Sequence, residues 1–194
     1  MRVGGYSIIV ADPPWQYGFS RSKSRSIENH YPTMTAKRLH AMQLQQLINK
    51  ETGTCLVMWV PFPKLDLGID TIRAWGFRYV TGEPWEKHPG DERMGPGYYN
   101  RLQHELILYA QHPDYPLPVP EQHLRERSGI KGGWTNEHSA KPDKLNKKLM
   151  RIWPQYTARV ELFARTRMDG WDCWGNHPDV KPFAINWELE LLNQ

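Results

Sequence analysis

The sequence has little of several things, and each shortage narrows what the chain can be. It holds two cysteines, Cys55 and Cys173, in 194 residues. Two thiols make no disulfide framework, and Cys55 lies in the apolar run "TCLVMWV", the setting of a reduced core thiol. With so few thiols and only scattered histidines, no metal site is expected. No apolar run approaches the ~18 residues that a membrane-spanning helix needs, so no membrane association is expected. The start, "MRVGGYSIIVADPPW", lacks an apolar signal-peptide core and runs straight into a strand pattern. An unprocessed intracellular chain is the expectation. There is no internal repeat, no G-x-G-x-x-G and no Walker A sequence, and "GPG" at Gly95–Gly97 is too short to cradle a phosphate. A nucleotide-like cofactor would therefore have to be held by side chains.

What is present is an ordinary globular composition. Hydrophobic residues make up 39% and charged residues 24%, enough for one domain over residues 1–194 with its own core. The formal charge is only +4, but it is unevenly spread. "RSKSRS" (Arg21–Ser26) is basic and loop-like, and a second basic zone runs from Arg125 through Lys131 to Lys148. Such clusters either contact phosphate or are simply solvated. Nine tryptophans are many for this length. Most belong in a core, although aromatic faces are also what bases stack on.

Buried strands are expected at Ser7–Ala11 and Thr54–Val60, and further strands at Arg78–Lys87, His104–Ala110 and Ala158–Arg165, with a short one in Gly170–Gly175. Thr33–Lys50 reads as a helix or as two short ones, with Thr35 as N-cap. Leu65, Ile69 and Ile72 mark a helix ended by Gly76, and Leu145, Leu149 and Ile152 mark another. The stretches Gln16–Pro32, His88–Arg101 and Gln111–Ser139 read as loops. Strands that alternate with helices, several of them continuous apolar runs, predict an α/β fold. Its sheet is mostly parallel, with helices on both faces. Ligands then bind beyond the carboxyl ends of the strands, which is where Asp12 and Arg165 fall.

"SIIVADPPWQYG" (Ser7–Gly18) delivers an acid, two prolines and an indole to a strand tip. Prolines fix φ and donate no hydrogen bond, so their carbonyls project from a rigid turn. An acid beside such carbonyls groups several acceptors, a fit for a planar –NH₂ group on a purine. A neighbouring tryptophan could stack on the base, worth ~1–3 kcal/mol. The plainer reading is a strand-ending turn with a buried tryptophan; position at the tip of the first strand favours the site. Pro142 suits the first position of the helix that follows it, which puts Lys141 at the N-cap. A cation there opposes the helix dipole unless lysine and helix terminus share an anion such as a carboxylate; a lysine turned to solvent is the alternative.

"ADPPW", "HYPTM", "LVMWV", "AWGFRYV", "GYYNRLQHE", "HSAKPD", "ELFAR" and "GWDCWGN" occur in that order. The set resembles the adenine-N6 methyltransferases related to the catalytic subunit of the eukaryotic mRNA methyltransferase, the METTL-like group. It is most similar to the small bacterial and phage members, and it covers roughly Ser7 to Asn176. The resemblance implies a Rossmann-like methyltransferase fold using S-adenosylmethionine (SAM), permuted so that D-P-P-W comes first. It implies a cytoplasmic enzyme of a bacterium or phage-infected cell that methylates the N6 amine of adenine in DNA. The alternatives are the same reaction on RNA, a catalytically silent nucleic-acid-binding subunit, or a nucleotide-binding domain that is no methyltransferase. A homodimer is also implied.

By the same resemblance, Asp12, Pro13, Pro14 and Trp15 are the catalytic motif. Asp12 and the Pro13 carbonyl hold the amine, Asp12 also meets the SAM ammonium, and Trp15 and Tyr31 border the base pocket. Lys141 stands between that pocket and the SAM carboxylate. Arg165 binds SAM, and Asn176 lies near its adenosine part. Arg167 supplies a carboxylate or ribose contact where the mRNA enzyme has a different pair. Tyr99 and Arg101 support the substrate pocket, together with Glu105.

Overall fold

Strands β1 (Ile8–Ala11) and β2 (Cys55–Val60) are buried along their whole length, as continuous apolar runs require. Their side chains divide by parity, as a pleated strand dictates. Ile8, Val10, Cys55, Val57 and Trp59 face one layer, with Leu145, Leu149 and Ile152. Ile9, Ala11, Leu56, Met58 and Val60 face the other, with Leu39, Leu44, Leu47 and Ile72. This computed structural model describes residues 5–16, 33–90, 97, 99–133 and 141–175.

The remaining strands are β3 (Arg78–Glu86), β4 (His104–Gln111), β5 (Ile130–Lys131), β6 (Arg159–Leu162) and β7 (Asp172–Trp174). The seven form one sheet in the order β5-β3-β4-β2-β1-β6-β7. β1 pairs in parallel with β2 and β6, β6 with β7, and β3 with β5, whereas β4 is antiparallel to both β2 and β3. The sheet is thus mostly parallel, as expected, with one reversed strand. Helices α1 (Ala36–His40) and α2 (Leu65–Ala74) contribute to one layer and α3 (Lys144–Ile152) to the other. No helix among the described residues is long and apolar enough to cross a membrane.

Local signals hold where the chemistry is local. Thr35 caps α1, its hydroxyl accepting from the Arg38 amide at 3.3 Å. Gly76 ends α2 with φ +86°, where a side chain would also strike Gln45. Of the two readings of Thr33–Lys50, the shorter helices are right. α1 stops at His40 and a 3-10 turn follows at Leu44–Leu47. Leu39, Met42, Leu44, Leu47 and Ile48 do not share one helical stripe, and breaking the helix lets all five be buried.

One expectation is corrected. α3 begins at Lys144 with Asp143 in the cap position, so Pro142 is not its first residue and Lys141 is not its N-cap. Lys141 is not turned to solvent, its side chain being 9% exposed. Two carboxylates hold its amine elsewhere, and the chain from Lys141 to Asp143 bridges the gap. β5 also had no signal: two residues that pair only with Trp85 and Glu86 carry too little pattern. The loop read at Gln16–Pro32 lies outside the described residues except for Gln16, and so does half of the loop read at His88–Arg101.

Candidate active site

The topology gathers charge at one edge. Asp12 follows β1 directly, Lys87 follows β3, and Arg165 lies three residues past β6. Because β4 runs the other way, its second residue, Glu105, reaches the same edge. β1 leaves toward β2 through one helical layer, whereas β6 is reached from α3 in the other. The β1/β6 crevice is therefore the switch point at which open α/β sheets bind ligands.

The backbone at this edge is tightly specified. The Asp12 amide donates to Leu162 O at 3.3 Å, extending the β1–β6 ladder by one bond. Pro13 and Pro14 have no amide to continue it. The Trp15 amide donates to Pro13 O and the Met34 amide to Pro14 O, both at 2.8 Å. After β6 the chain turns at Phe163, whose φ of 63° is rare for an aromatic residue. The Phe163 ring meets Trp174 edge-on at 5.3 Å, and the Ala164 amide donates to Trp174 O at 3.0 Å. This turn leads the chain to Arg165.

Four charged side chains then alternate in sign along the edge. Lys87 Nζ lies 2.6 Å from Glu105 Oε1, Lys141 Nζ lies 3.3 Å from Glu105 Oε2, and Lys141 Nζ lies 2.9 Å from Asp12 Oδ1. Lys141 Nζ also sits 5.7 Å from the Trp59 ring centroid, within reach of a cation–π attraction. The side chains of Lys141, Asp12 and Glu105 are 9%, 14% and 13% exposed. Among the described residues Glu105 Oε2 is buried with no hydrogen bond of good geometry beyond its 3.3 Å ion pair with Lys141, which leaves that oxygen weakly engaged.

Burial opposes charge on all three groups, and the neighbours decide the outcome. Burial pushes the Asp12 carboxyl above the usual range; Lys141 and Arg165 pull against it, and Glu105 adds to it. Burial alone would lower Lys141, but Asp12 and Glu105 outweigh it and hold the amine protonated. Glu105 is likewise pushed up by burial but ends lowered, because Lys141 and Lys87 both face it.

The structure thus brings Asp12, Pro13, Pro14, Lys141 and Arg165 to one place. Trp15 is adjacent in sequence but turned inward. Its indole is 3% exposed, packed in the core, and its Nε1 donates to Trp59 O at 3.3 Å. It stiffens the turn from behind and offers no open face. Tyr99 is 93% exposed and Arg101 is exposed. Arg167 is exposed and acts electrostatically on the Cys173 thiol. Tyr31 and Asn176 lie outside the described residues. Among the described residues no group of His, Cys, Asp and Glu side chains is arranged to hold a metal ion.

Two members went unassigned in the sequence. Lys87 closes the β3 pattern that Arg78 opens, and Glu161 is the one acid in β6. Glu161 accepts from Asn146 Nδ2 of α3 at 2.7 Å. Burial raises its carboxyl to about 7, and the Asp12 charge adds to the rise. Both strands carry other charges as well, Arg78, Glu83 and Glu86 in β3 and Arg159 in β6, so neither residue stood out in the sequence.

Comparison with known proteins agrees with this geometry. The MT-A70 family model matches residues 6–177. The type II methyltransferase M.MunI of a Mycoplasma species is 30% identical, over 91% of this chain and 79% of its own length. The N(6)-adenine-specific methyltransferase METTL4 of Mus musculus is 25% identical over 88% of this chain. The human N(6)-adenosine-methyltransferase catalytic subunit METTL3 is 23% identical over 91%. The chain spans only 37% and 29% of those two larger relatives. A match over nearly all of the chain, with the motif residues meeting at the ligand-binding edge of the sheet, establishes that this protein belongs to the MT-A70 family.

Proposed function

We propose that the chain transfers a methyl group from SAM to the N6 amine of adenine in DNA. Family membership and the likeness to M.MunI and METTL4 support adenine methylation. The DNA assignment follows M.MunI, a bacterial relative that the chain nearly matches in extent. The observation that carries the chemistry is the edge cluster, in which buried Asp12 and Glu105 flank one lysine at 2.9 and 3.3 Å.

The donor set fits both reactants. Asp12 would accept from the adenine amine and from the SAM ammonium. Lys141 and Arg165 would meet the SAM carboxylate, with Arg167 and Asn176 toward the ribose and adenosine. SAM, when bound, supplies an electrophilic methyl group. The exocyclic amine is weakly nucleophilic because its lone pair is delocalised into the ring. Asp12 and the Pro13 carbonyl, which retains a lone pair beyond the one given to the Trp15 amide, favour a pyramidal nitrogen. Catalysis is then mainly orientation and electrostatic preorganisation. Lys141 neutralises two carboxylates that would otherwise repel each other and keeps both fixed.

A paired base cannot reach this edge, so the adenine is flipped out or single-stranded. Tyr31, Tyr99 and Arg101 are assigned to the base side, with the basic stretch Arg21–Ser26 toward phosphate. Trp15 serves by holding the motif rather than by stacking. A cytoplasmic location and a homodimer complete the proposal. A silent subunit is disfavoured because Asp12 and Lys141 are both present and paired.

The test is incubation with SAM and defined single- and double-stranded DNA and RNA, followed by nucleoside mass spectrometry. N6-methyldeoxyadenosine is the expected product. N6-methyladenosine alone would move the substrate to RNA, and no methylated nucleoside in any arm would overturn the proposal.

A further inference from the structure

Glu83 lies within β3, its side chain 3% exposed, well inside the sheet from the reactive edge. Its Oε1 accepts from Tyr109 Oη of β4 at 2.6 Å. Its Oε2 accepts from the Gly129 amide and from Lys148 Nζ of α3, both at 2.6 Å. Lys148 Nζ donates in addition to Arg127 O at 3.1 Å. One carboxylate therefore joins β3, β4, the approach to β5, and α3.

Two of those partners stand on either side of Lys141. Gly129 immediately precedes β5, after which the chain continues to Lys141, and Lys148 lies in the helix that follows it. The strand that carries Glu83 also leads to Lys87. A buried ion pair is a poor source of stability compared with apolar packing of the same volume, so a positional role accounts for it better. Lys141 sits 2.9 and 3.3 Å from its two partners. A shift of about 1 Å would break either contact.

We propose that Glu83 is a positioning residue that clamps both flanks of the segment delivering Lys141, and so sets the place of its amine against Asp12 and Glu105. The proposal rests on the functional reading above only in taking Lys141 to serve methyl transfer; the placement itself is testable without activity.

The experiment compares the intact protein with Glu83→Gln and with the double variant Glu83→Leu/Lys148→Met. The double variant removes both charges while keeping volume, so no buried charge is stranded if the single variant fails to fold. A pulse of acetic anhydride with peptide mass mapping reads the accessibility of each lysine, and circular dichroism confirms folding. Lys141 acetylation is expected to rise about fivefold or more in the folded double variant, while Lys50 and Lys64 stay unchanged. Methyl transfer is read in parallel, also in a Lys141→Met background. There the Glu83 substitution is expected to add no further loss, the mark of coupling through one residue. Unchanged Lys141 labelling in a folded double variant overturns the proposal whatever the activity. A rise in labelling with full methyl transfer leaves the clamp standing and overturns the role given to Lys141.

Discussion

Two clusters of buried charge lie on this sheet, and they are built from the same residue types. At the edge, Lys87, Glu105, Lys141 and Asp12 alternate over contacts of 2.6 to 3.3 Å. Inside, Glu83 takes Lys148, Tyr109 and the Gly129 amide, all at 2.6 Å. Exposure does not separate their lysines, Lys141 and Lys148 both being 9% exposed, although Asp12 and Glu105 at 14% and 13% are more open than Glu83 at 3%. What separates them is completion. Both Glu83 oxygens are occupied, and Tyr109 is pushed far above its ordinary range by burial and by the acid beside it. At the edge, Glu105 Oε2 has among the described residues only a 3.3 Å ion pair with Lys141 and no hydrogen bond of good geometry, and burial lifts Asp12. A satisfied cluster fixes geometry, whereas one with a weakly engaged acceptor at an open edge is equipped to take a guest.

The largest effect should come from emptying the edge cluster of its motif acid. Asp12→Ala is expected to reduce methyl transfer by at least ~10²–10³-fold with the fold intact, measured by tritium transfer from labelled SAM to DNA. Near wild-type labelling would remove Asp12 from the chemistry. Next, Lys141→Ala should weaken SAM binding about tenfold or more, since it removes a cation offered to the SAM carboxylate and leaves two carboxylates facing each other; calorimetric titration reads this. Unchanged affinity would make Lys141 an internal counter-ion, like Lys148.

A smaller effect concerns pH. The Glu161 carboxyl is raised to about 7 in the folded chain from an ordinary value of 4.5. The folded state therefore holds more protons than the unfolded state between those values, and stability falls as pH rises through that window. Glu161→Gln, which keeps an acceptor for Asn146, should flatten that fall. At pH 8 it should recover at most on the order of 3 kcal/mol, read from urea melts at pH 5 and pH 8. An equal gain at both values would assign the effect to packing instead. The smallest effect is the control. Arg73 and Asp70 pair on α2 at 3.1 Å but are 70% and 60% exposed. Arg73→Ala should shift stability by less than about 1 kcal/mol, and a larger loss would show that exposed pairs here do more than expected.

The comparison also marks what could be read from the chain alone. Every strand but β5, the Thr35 cap and the Gly76 stop follow from local sterics and from apolar patterns a few residues long. Asp12 was legible because prolines and a strand tip have local geometry. Lys141 was identified as important but misplaced. A cap position follows from a neighbouring proline, whereas its actual partners, Asp12 and Glu105, are far off in sequence. Trp15 allows two readings, a stacking face or a buried indole, because a tryptophan in a motif gives no clue to which way it faces. Glu83 could not be found at all, since nothing in "VTGEPWE" says that its carboxylate meets α3.

By itself, then, the sequence determined an α/β sheet with an acid and rigid carbonyls at the end of its first strand, because hydrophobic period and proline stereochemistry act over a few residues. Only the tertiary structure decided which charges meet. Reversing β4 brought Glu105 to the ligand edge, docking α3 drew Lys141 between two acids, and the strand order put β6 beside β1. Those outcomes depend on contacts between distant segments, where one register or one strand direction exchanges every partner a side chain can have.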